Sequence, residues 1–167
     1  WHNPTLGAPH GQQMFDFGVM DGDTLQLAII RLIAFFTTQA AVAVNAYYVL
    51  GFGLIALSAH VVLRLLGIVP PVAVFVSVVF ALVPYHFLQG QQHLFLATYF
   101  AVPWGCWLAL RVLRGEPLFA RRAAGGRLAW CGRDTVLTLV AVLVTGASNL
   151  YYAVFTLLLL AIAGLLR

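Results

Sequence analysis

Long apolar runs alternate with short polar segments along this chain. Three runs cover about residues 41–65, 70–87 and 93–113, and nearly all of residues 135–166 are apolar as well. A transmembrane helix needs about 20 mainly apolar residues. The pattern therefore predicts an all-α, polytopic helical membrane protein rather than a water-soluble domain.

The last apolar run is too long for one span. As one helix it would reach about 48 Å at 1.5 Å per residue, against a hydrocarbon core of about 30 Å. The polar segment "TGASN" at 145–149 offers a break. We therefore expect a short span, a tight turn and another span from about 150 to 166, which makes about four transmembrane helices. Pro84 is expected to kink or end the second span, and Pro103 falls inside the third.

The N-terminal part has a different pattern. Residues 1–22 form a polar segment rich in Gly, Pro, Asn and Asp, with no basic or apolar leader, so we expect a piece of a longer protein that opens in a loop. Residues 23–38 predict an amphipathic helix at the membrane interface, with Asp21 or Asp23 as its cap and Gln26 and Arg31 interrupting its apolar positions. Residues 39–167 would then form the transmembrane bundle.

Composition supports this class and the charges orient it. The chain is 62% hydrophobic and 8% charged, where a soluble domain has about 25% charged residues. Its net charge of +4 comes from arginine alone, concentrated at 114–133. The positive-inside rule makes this loop cytoplasmic, so nucleic acid is not an expected partner. Cys106 and Cys131 are not expected to form a disulfide, because one lies in a span and the other in this loop.

Counting spans from that loop places the unusual polar residues together on the outer side. The segment "PYHFLQGQQHLFLATYFAVP" at 84–103 contains Tyr85, His86 and His93. Asn149 and Tyr151 follow the last break on the same side. The acids of the N-terminal loop lie there too, and Arg31 is a lone outer cation that suits a lipid phosphate.

Each of these residues also has a structural interpretation. Aspartates before a helix are common N-caps, and Asp16 in "FDFG" is compatible with a turn. Tyrosines are frequent at membrane interfaces. The two histidines of 84–103 either bond a sugar or phosphate or hold their loop shut. No metal site is predicted, because spacing supplies no third ligand to this pair.

Three stretches resemble one bacterial family. "NPTLGAPHGQQMFDFGVMDGD", "PYHFLQGQQHLFLATYFAVP" and "GASNLYYAVF" are similar to bacterial GT-C-type membrane glycosyltransferases, which are related to the dolichyl-phosphate-mannose protein mannosyltransferases. The similarity covers most of the chain, and the second stretch is its most specific part. The first span of such proteins, with the start of its loop, is missing here.

The resemblance implies a bacterial inner-membrane enzyme that moves a sugar from a polyprenyl-phosphate donor to a glycan, lipid or protein acceptor at the outer face, with inversion. Asp16 and Asp21 match the family's acidic pattern and would supply the general base. Arg31, a histidine or a divalent cation would meet the charge of the leaving phosphate. The residues alone leave two alternatives open, a membrane transporter or flippase and a non-catalytic protein of envelope assembly.

Overall fold

The computed structural model describes the chain at residues 2–3, 12–13, 23–90, 92–120 and 129–167. Within these ranges the fold is helical, apart from a two-residue antiparallel pairing of β1 (His2–Asn3) with β2 (Gln12–Gln13). The helices in these ranges are α1 (Thr24–Ile33), α2 (Ala40–Leu65), α3 (Pro70–Ala81), α4 (Pro84–Gln89), α5 (Leu94–Ala97), α6 (Val102–Leu113), α7 (Arg133–Ser148) and α8 (Leu150–Leu165).

Two helical segments are long and apolar enough to cross a membrane, judged by length and composition. One is α2, with 26 residues, and the other is Pro70–Gln89, with 20 residues, which joins α3 to α4. They match the first two predicted spans, and they are compatible with a membrane protein. The total of four spans stays a prediction.

Pro84 interrupts the second of these segments, as expected. Helix α3 ends at Ala81, and α4 begins at Pro84 itself. Proline has no N–H to donate and its fixed φ suits the first turn of a helix. The residue therefore begins a new helical turn after a short break.

The prediction of one continuous third helix over 93–113 is wrong. The structure has the short α5, a turn at 98–101, and then α6 of 12 residues, which is about 18 Å long. Pro103 lies in the first turn of α6, where its missing N–H costs no helical hydrogen bond. The proline thus begins a helix that we expected it to interrupt.

The predicted break near 145–149 is confirmed and falls at Asn149. This residue is extended, with φ −171° and ψ 144°, and separates α7 from α8. Helix α7 continues through Thr145 and Gly146 up to Ser148. Each helix has 16 residues and is about 24 Å long, shorter than a hydrocarbon core of about 30 Å.

The interfacial segment predicted over 23–38 is helical only in its first part, as α1. Gln26 is fully buried on one side of α1, and Leu25 and Ile29 pack against the core. Leu32, Phe35 and Phe36 are 60%, 76% and 92% exposed. The helix is thus docked by one face, and large apolar side chains remain exposed at and beyond its C-terminus.

The helices alternate in direction, so the bundle has two chemically different ends. At one end Arg111 bonds Asp134 at 2.9 Å, and the Arg167 side chain lies beside Gly115. We call this the arginine end. The opposite end, where α1 meets the α7–α8 junction, is called the polar end.

Two apolar clusters fill the interior between these ends. One contains Ile55, Phe100 and Tyr152, and the other contains Trp104, Trp107 and Leu108. Helices α6 and α8 approach each other closely where Gly105 faces Thr156: a β-carbon at 105 would lie 2.5 Å from Thr156 Oγ1. Small residues allow such approaches in helical membrane proteins.

Gly105→Ala should destabilise the bundle by about 1–3 kcal/mol, because the added methyl group overlaps Thr156. Gly53→Ala is the matched control, since a β-carbon there meets no atom within 4 Å and alanine favours a helix by up to about 1 kcal/mol. Unfolding in detergent, followed by circular dichroism, measures both. Equal stability of the two variants would contradict the close α6–α8 contact.

Candidate functional site

One buried glutamine connects four parts of the polar end. The Gln26 amide nitrogen donates to the carbonyl of Phe95 at 2.9 Å and to that of Ser148. Its carbonyl oxygen accepts from the Tyr47 hydroxyl at 2.6 Å. Helix α1 is thereby attached to α2, α5 and the end of α7.

Asn149 uses both ends of its amide in the same region. Its Oδ1 accepts from the backbone N–H of Tyr151 at 3.0 Å, which caps α8, and its Nδ2 donates to Asp23 Oδ1 at 2.7 Å. Asparagine is a favoured N-cap because its side-chain oxygen reaches an otherwise unpaired N–H. The residue thus begins α8 and joins it to the start of α1.

The Asp23 carboxylate does not cap α1, contrary to the interpretation we favoured for this residue. Asp23 occupies the N-cap position, but its side chain makes no capping hydrogen bond to the helix. It is 8% exposed and bonds Asn149. The acid therefore serves a contact between distant segments, which spacing within α1 does not indicate.

Three of the predicted binding residues line one cleft at the polar end. The cleft holds about 320 Å³. Its lining consists of Gln92, His93, Leu94, Phe95, Leu96, Asn149 and Tyr151. His93 and Tyr151 are exposed, so an imidazole and a phenol are accessible to a ligand, while Asn149 is committed to its own hydrogen bonds.

The other two predicted residues of the 84–103 segment lie elsewhere. His86 is fully buried, with its ring centroid 3.9 Å from that of Phe52 and 4.7 Å from that of Tyr48. Neither ring nitrogen has a hydrogen-bond partner. Tyr85 is 38% exposed and packs edge-on against Tyr99. Burial of His86 fits the alternative in which this histidine holds its segment in place, by packing.

The remaining predicted residues are separate from the cleft lining. Arg31 is exposed in the last turn of α1. Asp16 and Asp21, the predicted catalytic acids, lie outside the described residues. Asp21 precedes the anchored Asp23 by two positions, and two residues of chain span at most about 7 Å.

Sequence reasoning missed the central role of Gln26, which we had treated only as an interruption of an apolar pattern. A signal for it does exist. Gln26 is in helical register with Ile29, Ile30 and Ile33, so it occupies a position on an apolar stripe. A buried polar side chain needs partners, and that position could have indicated a glutamine bonded within the core.

The cleft can offer hydrogen bonds to a polar ligand beside an apolar surface. Across residues 23–90, 92–120 and 129–167 no three His, Cys, Asp or Glu side chains come together to hold a metal ion. The divalent cation that the resemblance allows stays a prediction. Hydroxyl-rich ligands such as sugars suit the imidazole and phenol of His93 and Tyr151, which both donate and accept.

Comparison with known proteins gives no match: no family model, curated protein or solved structure is significantly similar to this chain. The resemblance to GT-C-type glycosyltransferases therefore stays a prediction.

Gln26→Leu should destabilise the protein by about 2–4 kcal/mol, because a hydroxyl and two carbonyls each lose a partner in a buried region. Exposed Gln39→Leu, just before α2, should change stability by less than about 0.5 kcal/mol. Detergent-solubilised variants can be compared by thermal unfolding. If Gln26→Leu unfolds with the wild type, the glutamine does not hold α1 on the bundle.

Proposed function

We propose that the protein is a GT-C-type membrane glycosyltransferase, which moves a sugar from a polyprenyl-phosphate donor to an acceptor hydroxyl at the outer membrane face. One observation carries the proposal: a cleft with accessible hydrogen-bonding groups lies at the end of an apolar bundle opposite its arginines. By the positive-inside rule, the arginine end is cytoplasmic and the cleft faces outward.

The donor's two chemical parts fit this location. A polyprenyl chain is apolar and belongs in the bilayer, whereas its phosphate and sugar need polar contacts at the surface. The exposed Leu32, Phe35 and Phe36 suit the membrane interface, next to Arg31 on α1. Arg31 would pair with the donor phosphate as its charge increases during the reaction.

Asp21 or Asp16 would act as general base. Its carboxylate accepts the proton of the acceptor hydroxyl as the hydroxyl oxygen attacks the anomeric carbon. The bond from that carbon to the phosphate oxygen breaks, and its electron pair leaves with the polyprenyl phosphate. Attack opposite the leaving group inverts the anomeric configuration, so no covalent intermediate forms on the protein.

The cleft residues divide into two roles in this proposal. His93 and Tyr151 would bond sugar hydroxyls, since both are exposed in the lining. Asn149 would position them, because it accepts from the Tyr151 N–H and holds Asp23. The bond to Asp23 also keeps the chain just after Asp21 close to the cleft. Tyr85 and His86 would support the adjoining segment by packing.

The Asp16→Asn/Asp21→Asn variant should lose sugar transfer by about 10²–10⁴-fold, because asparagine cannot accept the proton. Arg31→Gln should weaken use of the donor more than it lowers folded yield. Gln39→Ala, an exposed change before α2, is the control for insertion and activity. Mass spectrometry of lipid-linked sugars and envelope glycans, in a strain without the chromosomal gene, measures the outcome.

The proposal expects the double variant to behave like the gene deletion, with loss of one glycan and accumulation of its lipid-linked donor. Full restoration of the glycan would show that these acids are structural. Normal donor synthesis with the donor trapped on the cytoplasmic side, in the deletion strain, would instead favour the flippase alternative.

A further inference from the structure

A second polar cavity lies at the arginine end, far along the bundle from the cleft. It holds about 200 Å³ between the ends of α2, α6 and α7. Its charged lining consists of Arg111, Arg114, Arg133, Glu116 and Asp134. Three arginines against two carboxylates leave an excess of positive charge in this cavity.

Arg111 is committed to the fold. Its guanidinium bonds Asp134 at 2.9 Å, and Nε lies 3.3 Å from Glu116 Oε2. The guanidinium carbon is also 5.1 Å from the centre of the Trp107 ring. Arg111 thus occupies both acids of the cavity and is itself 8% exposed.

The other two arginines are weakly paired. Arg114 Nη1 lies 3.9 Å from Glu116, at the outer limit of an ion pair, and Glu116 is already shared with Arg111. Arg133 is exposed and forms no ion pair with the described part of the chain. Two guanidinium groups therefore remain for an external anion, and a phosphate matches their planar donor geometry.

An apolar groove continues from this cavity. It holds about 220 Å³ between α2, α3 and α6, with an almost wholly apolar lining. Helices α2 and α6 each contribute one face at i, i+3, i+4 and i+7 spacing, namely Ala59, Val62, Leu63 and Leu66, and Pro103, Cys106, Trp107 and Leu110. Leu66 and Trp107 line both spaces, so cationic cavity and apolar groove are contiguous.

We propose that this composite site binds an anionic phospholipid, with its phosphate between Arg114 and Arg133 and one acyl chain along the groove. A free anion would leave the groove empty, and a neutral lipid would leave the excess cations unpaired. Only a ligand with an anionic head and an apolar tail satisfies both halves. The site does not depend on the proposed glycosyl transfer, which concerns the opposite end of the bundle.

The test is lipid titration of the delipidated protein in detergent, followed by native mass spectrometry. Phosphatidylglycerol should bind more tightly than phosphatidylcholine with the same acyl chains, by on the order of tenfold. Arg114→Gln/Arg133→Gln should remove this preference. Arg167→Gln is the matched control, because it removes an arginine at the same end that lines neither space.

The groove is tested with Cys106→Phe, which adds bulk at an exposed lining position. It should weaken phosphatidylglycerol binding, while Val72→Phe on the exposed face of α3, outside the groove, should not. Circular dichroism checks that each variant is folded. Equal loss with Arg167→Gln, equal loss with Val72→Phe, or binding of inorganic phosphate as tight as that of phosphatidylglycerol would overturn the proposal.

Discussion

A single buried amide determines the geometry of the polar end. Gln26 makes three hydrogen bonds, to two backbone carbonyls and one hydroxyl, and each partner belongs to a different segment. Buried polar groups without partners are costly, more so where no water can replace them. Because all four groups satisfy one another, α1 has one favourable position on the bundle, and that position orders Asp23 and Asn149 beside the cleft.

The two ends of the bundle solve different electrostatic problems. At the polar end, uncharged amides and hydroxyls satisfy backbone groups, and the one described carboxylate, Asp23, is bonded to Asn149. At the arginine end, charged pairs around Arg111 hold α6 to α7, and arginines remain in excess. A ligand recognised by hydrogen bonds suits the first end, and a ligand recognised by charge suits the second.

Length and apolar composition were sufficient to predict α2, the Pro70–Gln89 segment and the break before α8. These features depend on local properties: span length, proline, and an asparagine that can begin a helix. The break between α5 and α6 could not be predicted in the same way. Pro103 is compatible with a kink inside a helix and with a helix start, and only packing around 98–101 distinguishes the two.

Direction was the other quantity that the sequence did not supply for the candidate site. His86 and His93 occur in one polar segment, yet one is buried among aromatic rings and the other is exposed in the cleft. Their environments depend on the turn around Gly90, where φ is +52°. A position seven residues along a continuous helix would have shared a face, and this turn removes that relation.

The break before α6 is also what makes a cleft possible. A continuous helix at 93–113 would bond its carbonyls internally and leave a smooth surface, whereas the break frees carbonyls that lipid cannot satisfy. Side chains of other helices meet that cost by donating to the carbonyls of Phe95, Leu96 and Phe100; these donors are Gln26, Tyr152 and Ser58. The same bonds hold the broken segment open beside Asn149, so the polar residues buried around it are the structural condition for an accessible polar surface at this end.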